Sequence, residues 1–401
     1  PLPARLAAAL DGPVARWSLR VLGLVAAGYV AVAALAGPDL AINPTAHAVY
    51  VLFWIGLVPA SVLLGPVWRR LNPLRTVHVV LSRLLGAAAD DGLRPLPPGL
   101  GYWPAALGLL AFVWLELVAP DRATLPVLRT WFAVYVAVHL LAAAVYGTRW
   151  FDRGDGFEVW SALYGSLSVL GRRDDGVLVL RSPLDGAAAL RPAPGLVAVV
   201  SVALGSTAFD GISNAPWWFR VSAALPSDVL ASTLGLLVVI ALVAGVFVVA
   251  TAATAAAVTR RDHGDAGSPG ASATGYSPGR LAGEFAHSLV PIALGYVVAH
   301  YYSLFVLEGQ RALILLSDPL STGADVLGTA QRGVDSSLVT PSGVASIQVL
   351  AVVTGHVLGV VLAHDRALRL FPRRRALAGQ LPLLAVMVAY TIGGLVLLFV
   401  G

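Results

Sequence analysis

The sequence predicts an all-α polytopic membrane helix bundle, and three observations carry that prediction. Of 401 residues, 57% are hydrophobic and only 12% are charged, with a mean hydropathy of +0.79. A soluble domain carries about 25% charged residues, so a soluble enzyme of this size is excluded. Apolar stretches of about 20 residues, enough to cross ~30 Å of hydrocarbon at ~1.5 Å per residue, recur nine times along the chain. The arginines, finally, concentrate in every second loop between them.

In order, the stretches are 18–37, 46–68, 101–119, 126–147, 195–214, 227–259, 280–307, 345–367 and 379–400. The first follows a leader with Arg5 and Arg16 and shows no small-residue cleavage pattern behind it, so it reads as a span rather than a cleaved signal. The sixth exceeds one bilayer thickness and must tilt or extend beyond it. All 27 basic residues are arginine; Arg122, Arg129, Arg220, Arg311 and Arg332 fall in one set of alternate loops and the other 22 in the opposite set. By the positive-inside rule the N-terminus is cytoplasmic and the C-terminus outside, in the inner membrane of the cell. The formal charge of +5 and the pI near 9.7 then reflect topology and the anionic lipid it faces, and no nucleic-acid partner is expected.

The chain reads as one transmembrane domain over 1–401. Within the cytoplasmic loop 148–194, Phe157–Leu170 has apolar residues at helical spacing and predicts a helix lying on the inner interface. Val177–Pro183 is β-branched and predicts a small hairpin. Residues 262–279, rich in Gly, Ser, Ala and Pro, read as a flexible cytoplasmic linker. The external loop 308–344 carries Asp318, Asp325 and Asp335 among Gly and Ser, and its length predicts a lid over the outer mouth.

Cysteine is absent, which excludes disulfides, thiolate metal sites, iron–sulfur clusters and Cys nucleophiles. A single methionine, Met387, leaves no thioether pathway for Cu(I). Ionisable groups inside hydrocarbon are costly, and either pair or mark function. By helical rise from the outer span ends, Glu116 lies about 5 Å deep, Asp210 about 6 Å, His300 about 10 Å and His356 about 16 Å, while His47 opens the second span. Carboxylates and imidazoles without sulfur are the ligand set of a divalent Zn, Mn or non-haem Fe site. Glu116, Asp210, His300 and His356 are therefore the candidate metal ligands, and a metal-bound water would supply hydroxide for hydrolysis. Whichever of Glu116 and Asp210 does not ligate is the candidate general base. Tyr296, one helical turn before His300, is a candidate catalytic residue that would orient that imidazole or stabilise developing charge, and Pro291 is expected to kink the same helix at the carbonyl of His287.

Other readings of these residues stay open. Each ionisable group could have a separate structural job, with Glu116 and Asp210 capping helix ends. His139 and His356 lie at similar depth and could clamp a b-type haem, as in an anchoring subunit of a larger membrane complex. A polar file from His300 through His356 and His139 toward His364 would suit a transporter or channel for a small polar solute or proton. Asn72-Pro-Leu-Arg75 reads either as a phosphate-facing turn or as a topogenic segment.

Several segments resemble a family of bacterial polytopic membrane proteins, mostly uncharacterised, some of which carry the label fenitrothion hydrolase. They are Trp68-Arg-Arg-Leu-Asn-Pro-Leu-Arg75, Phe209-Asp-Gly211, His287 through Tyr301, Glu308-Gly-Gln310, Ser317-Asp-Pro319 and Thr354-Gly-His356. The resemblance implies hydrolysis of an organophosphate triester, and it points at Asp210, His300 and His356; the residues themselves predict metal-assisted hydrolysis of a lipophilic ester or phosphoester as small-molecule substrate.

Overall fold

The computed structural model describes residues 2–173, 175–259, 278–371 and 373–400. It divides into two compact units, Pro1–Gly186 with Tyr301–Val344, and Ala187–His300 with Ala345–Gly401. Among the described residues, eight helices are long and apolar enough to cross a membrane, and one two-stranded ladder is the only sheet. The chain is a multi-pass, all-α membrane protein. At the ninth expected stretch, 379–400, the described residues hold a shorter apolar run, Gln380–Val396.

In the first unit, α1 (Ala4–Asp11) and α2 (Pro13–Ala36) meet at Gly12, with Pro13 opening the second helix where its missing N–H costs nothing. The next span runs through α3 (Thr45–His47), a π-helical stretch (Ala48–Ile55) and α4 (Leu57–Leu64). After α5 (Trp68–Leu71), Asn72 caps α6 (Pro73–Leu84): its side-chain oxygen accepts from the N–H of Leu74 at 3.0 Å and of Arg75 at 3.2 Å. α7 (Trp103–Leu117) and α8 (Leu125–Tyr146) follow. α8 stops at Gly147, whose φ of +69° and closeness to the Asp90 carbonyl (2.5 Å from an added Cβ) leave no place for a side chain.

Next come α9 (Arg149–Gly154), α10 (Gly156–Gly165), the antiparallel strands β1 (Leu170–Arg172) and β2 (Leu178–Leu180), and α11 (Pro183–Ala188). The helix expected to lie on the interface from Phe157 is α10, and it is enclosed by protein rather than laid along a surface. Phe157, Glu158, Val159, Trp160, Ser161, Leu163 and Tyr164 are all buried, packed against α4 and α7. Trp160 stacks on Trp54 at 4.4 Å, and Phe157 meets Phe112 at 4.9 Å and Phe53 at 4.8 Å.

The second unit contains α12 (Leu196–Ser213), α13 (Pro216–Ser222), α14 (Asp228–Thr259) and α15 (Pro278–Phe285). After a 3-10 turn (Ala286–Ser288) come α16 (Leu289–Leu315), α17 (Pro341–Leu370) and α18 (Arg373–Val400). Of the linker expected at 262–279, residues through 277 lie outside the described residues. α14 packs on α12 and α18, and Gly205 brings α12 within 2.7 Å (added Cβ) of the Ile240 backbone.

α16 and α17 meet along glycines. An added Cβ at Gly295 would sit 2.5 Å from the Ala351 carbonyl oxygen, at Gly355 2.5 Å from that of Pro291, and at Gly359 2.7 Å from that of Ser288. Spaced four apart, Gly355 and Gly359 form a small-residue ridge that lets two membrane helices touch backbone to backbone. Pro291 sits in the first turn of α16, so it starts the helix rather than kinking it, and the break falls at the preceding turn that holds His287.

The segment expected as an external loop is also shorter than expected, because Glu308–Leu315 continues α16. Its aspartates serve the loop's own backbone. Asp318 accepts from Thr322 N–H at 2.9 Å and Gly323 N–H at 2.7 Å, and Asp325 from Ala330 N–H at 2.9 Å, which holds both carboxyls below the usual range.

Candidate functional site

Two of the expected site residues meet directly. Asp210 lies one turn before the end of α12, where its own carbonyl accepts from Ser213 Oγ and Asn214 Nδ2, both at 2.8 Å. His300 lies on α16, and its Nε2 is 2.7 Å from Asp210 Oδ2. Residues 90 positions apart on two apolar helices thus form a short imidazole–carboxylate hydrogen bond, with the ring N–H donating. Both side chains are about one-fifth exposed, so the pair is shielded but reachable.

Tyr296 shares the helix face of His300, but its hydroxyl does not go to the imidazole. It donates instead to the Tyr390 carbonyl at 2.8 Å, reaching it over Gly394, where an added Cβ would sit 1.7 Å from the hydroxyl oxygen. The expectation that Tyr296 orients His300 is corrected by this contact. α18 is close enough, and bare enough at Gly394, to offer a carbonyl that a lone helix would not.

The ring of His356 lies edge-on to that of Tyr296 at 5.8 Å and 6.3 Å from that of Tyr390. Its Nδ1 bonds the Val352 carbonyl at 2.8 Å, one turn back on its own helix. Among the described residues, its Nε2 and the Tyr390 hydroxyl are buried without a hydrogen-bond partner. An unpaired polar atom in such surroundings costs about 1–3 kcal/mol. Next to Tyr390, an apolar cavity of about 150 Å³ lies among Leu204, Val246, Phe247, Ile292 and Met387. At the far end of the helices, Glu284 pairs with Arg366 at 3.4 Å and His364 Nδ1 meets Gln380 Oε1 at 3.1 Å.

Glu116 belongs to the first unit, on α7, near enough to Tyr50 for its charge to act on that phenol. The described residues hold no group of three or more His, Cys, Asp or Glu arranged to take a metal ion. Asp210 and His300 engage each other, and among the described residues no metal-holding group of three such side chains includes them. His139 is in the first unit and accepts from Trp150 Nε1 at 3.0 Å through its Nδ1, while His356 is in the second.

A larger polar assembly in the first unit was not foreseen. Asn72, Arg75, Asp155 and Glu158 are all buried. Arg75 donates to Glu158 at 2.6 and 3.1 Å and to Asp152 at 2.8 Å, with its guanidinium over the Phe151 ring. Asn72 Nδ2 donates to Asp155 at 2.8 Å and to Glu158 at 3.2 Å, and Tyr135 donates to Asp155 at 2.8 Å. The segment read as a phosphate-facing turn therefore faces buried carboxylates. Burial pushes the Glu158 carboxyl up, to about 7, against the pull of Arg75 and with Asp155 adding to the rise. One signal for it was in the sequence: a lone acid in the apolar run Phe157–Leu163 must find a partner.

A second imidazole–carboxylate contact lies in the same unit, where His47 Nε2 is 3.2 Å from Glu308, itself paired with Arg311 at 3.1 Å. His47 had been placed at the surface and Glu308 in a loop. The helical continuation of α16 brings them together. No family model matches the chain, and no characterised protein or solved structure matches it either.

Proposed function

We propose that the protein is a nine-span inner-membrane hydrolase, N-terminus cytoplasmic, acting on a lipophilic ester or phosphoester at Asp210 and His300. The observation that carries this reading is the 2.7 Å contact between the two, made by residues that apolar helices have no packing reason to bury together. A carboxylate bonded to an imidazole holds the ring in place and stabilises the imidazolium that forms when the ring takes a proton. Hydrolysis uses one such cycle, a proton taken and then given back. Water attacks the carbonyl carbon or phosphorus as its proton passes to His300, and the imidazolium then returns a proton to the departing alcohol. The apolar cavity beside Tyr390 offers room for an aliphatic tail, which favours a lipophilic substrate over a polar one. No step here passes through a metal.

The test is turnover of p-nitrophenyl esters and phosphotriesters of graded chain length by the purified protein. Wild type should exceed detergent blanks, and Asp210→Asn and His300→Ala should each lose about 10²–10⁴-fold in kcat. Equal rates for wild type and both variants would remove the proposal.

A second reading, passage of a proton or small polar solute, has the unpartnered Nε2 of His356 and hydroxyl of Tyr390 in its favour. The glycine seam between α16 and α17 weighs against it, since backbone contact there excludes water along that line. Proton flux into liposomes that disappears in His356→Ala would favour transport over hydrolysis.

A further inference from the structure

We propose that Trp17, Arg20 and Arg83 form a binding site for the phosphate headgroup of an anionic phospholipid at the membrane surface of the first unit. α2 and α6 bring these side chains together. The guanidinium carbons of Arg20 and of Arg83 each lie 5.0 Å from the centre of the Trp17 ring. Attraction to one indole holds two like charges near each other, although Coulomb repulsion opposes it.

Neighbouring arginines have acidic partners. Arg70 and Arg172 share Asp11 at 2.7 and 2.5 Å, and Arg75 has Glu158 and Asp152. Among the described residues, neither Arg20 nor Arg83 forms an ion pair. The charges that act on Arg20 are those of Arg16, Arg75 and Arg83, all positive. A phosphodiester would supply the missing counter-charge, and its oxygens match the planar guanidinium fork.

The surroundings select a lipid over free phosphate. α6 is 12 residues long and is not among the helices able to cross a membrane, and it has one buried and one outward face. Leu74, His78, Val79 and Ser82 face inward, while Leu84 (78% exposed) and Leu85 (82%) stand out beside Arg83. On α2, Val21 and Leu22 are exposed next to Arg20. Basic groups flanked by outward aliphatics are the pattern of an element set between headgroups and acyl chains, and an indole belongs at the same level. Gly23 holds the geometry: an added Cβ would lie 1.8 Å from the Leu71 carbonyl oxygen, so α2 and α5 touch one turn from Arg20.

The experiment uses the full chain in nanodiscs of phosphatidylcholine, with or without a minor fraction of phosphatidylglycerol, read by thermal midpoint and by lipid retained in native mass spectrometry. Phosphatidylglycerol should raise the midpoint of the wild type, and Arg20→Ala/Arg83→Ala should weaken its retention about tenfold or more, the loss of one charge-assisted contact. Arg83 is exposed, so Arg83→Ala alone keeps the fold and should already reduce retention. Inorganic phosphate added to phosphatidylcholine discs should produce no shift. Equal retention in wild type and variants, or a phosphate effect as large as that of the lipid, would overturn the proposal.

Discussion

At Arg75 a single guanidinium faces Glu158 and Asp152 while Asn72 and Tyr135 hold the fully buried Asp155 beside it. Removing one partner from such a set strands the others, which costs about 3–5 kcal/mol. Arg75→Ala should therefore lower stability by that amount in detergent denaturation, and Arg75→Lys should recover only part of it because lysine lacks the fork. Glu158 adds a pH dependence whose sign follows from its raised carboxyl. The folded state binds this proton more tightly than the unfolded chain does, so the contribution is present at low pH. It declines as pH rises from about 4.5, the ordinary value, to about 7. The thermal midpoint of wild type should fall across that window more steeply than that of Glu158→Gln, and parallel profiles would contradict the assignment. The Tyr296 hydroxyl teaches the same lesson from the other side. Helical spacing placed it on the face of His300, but the nearest strong acceptor belongs to α18, which spacing within one helix cannot reveal.

At the scale of elements, hydropathy and glycine spacing behave differently. Long apolar runs marked α8 and α12 to within a residue or two, while α16 runs eight residues past the expected end at 307; in lipid every backbone group must bond within its own helix, so little else can form there. Which helices touch depends instead on small residues at the seam. Gly355 and Gly359 are two such positions, and a side chain at either would meet a carbonyl, of Pro291 on α16 at 2.5 Å or of Ser288 in the turn before it at 2.7 Å. Gly355→Leu should separate α16 from α17 and cost more than the ~0.6–1.7 kcal/mol of a cross-helix membrane hydrogen bond. The variant should be more sensitive to limited proteolysis, whereas Gly393→Ala, where nothing lies within 4 Å of an added Cβ, should be silent. For α10 the amphipathic reading failed for a related reason. Its apolar positions have the spacing of a surface helix, yet Glu158 and Ser161 are satisfied by Arg75 and by Ser61 at 2.8 Å, so every face can be buried.

For the molecule as a whole, the orientation derived from the arginines can be tested directly because the chain has no cysteine. Single cysteines at Asn214 and at Ser182 should label from opposite sides of the membrane, with Asn214→Cys accessible from outside in intact cells and Ser182→Cys only after permeabilisation. Both labelling from the same side would break the alternation on which the nine-span topology rests. The same scale decides how the expected ligand set came apart. Glu116, Asp210, His300 and His356 were grouped by depth, and depth is a single coordinate. In the structure Asp210 joins His300, His356 joins Tyr296 and Tyr390, and Glu116 belongs to the other compact unit.

The amino-acid order by itself determined the membrane class, where most of the long apolar helices fall, and the expensive side chains that need partners. These are local or compositional matters, settled by transfer energy and by backbone hydrogen bonding within each segment. The tertiary structure alone decided who the partners are: Asp210 for His300, Glu158 for Arg75, Glu308 for His47 and the Tyr390 carbonyl for Tyr296. Those choices rest on which helix faces meet and at what angle. For Tyr296 that geometry includes the bare backbone of α18 at Gly394, and no periodicity along one helix encodes it.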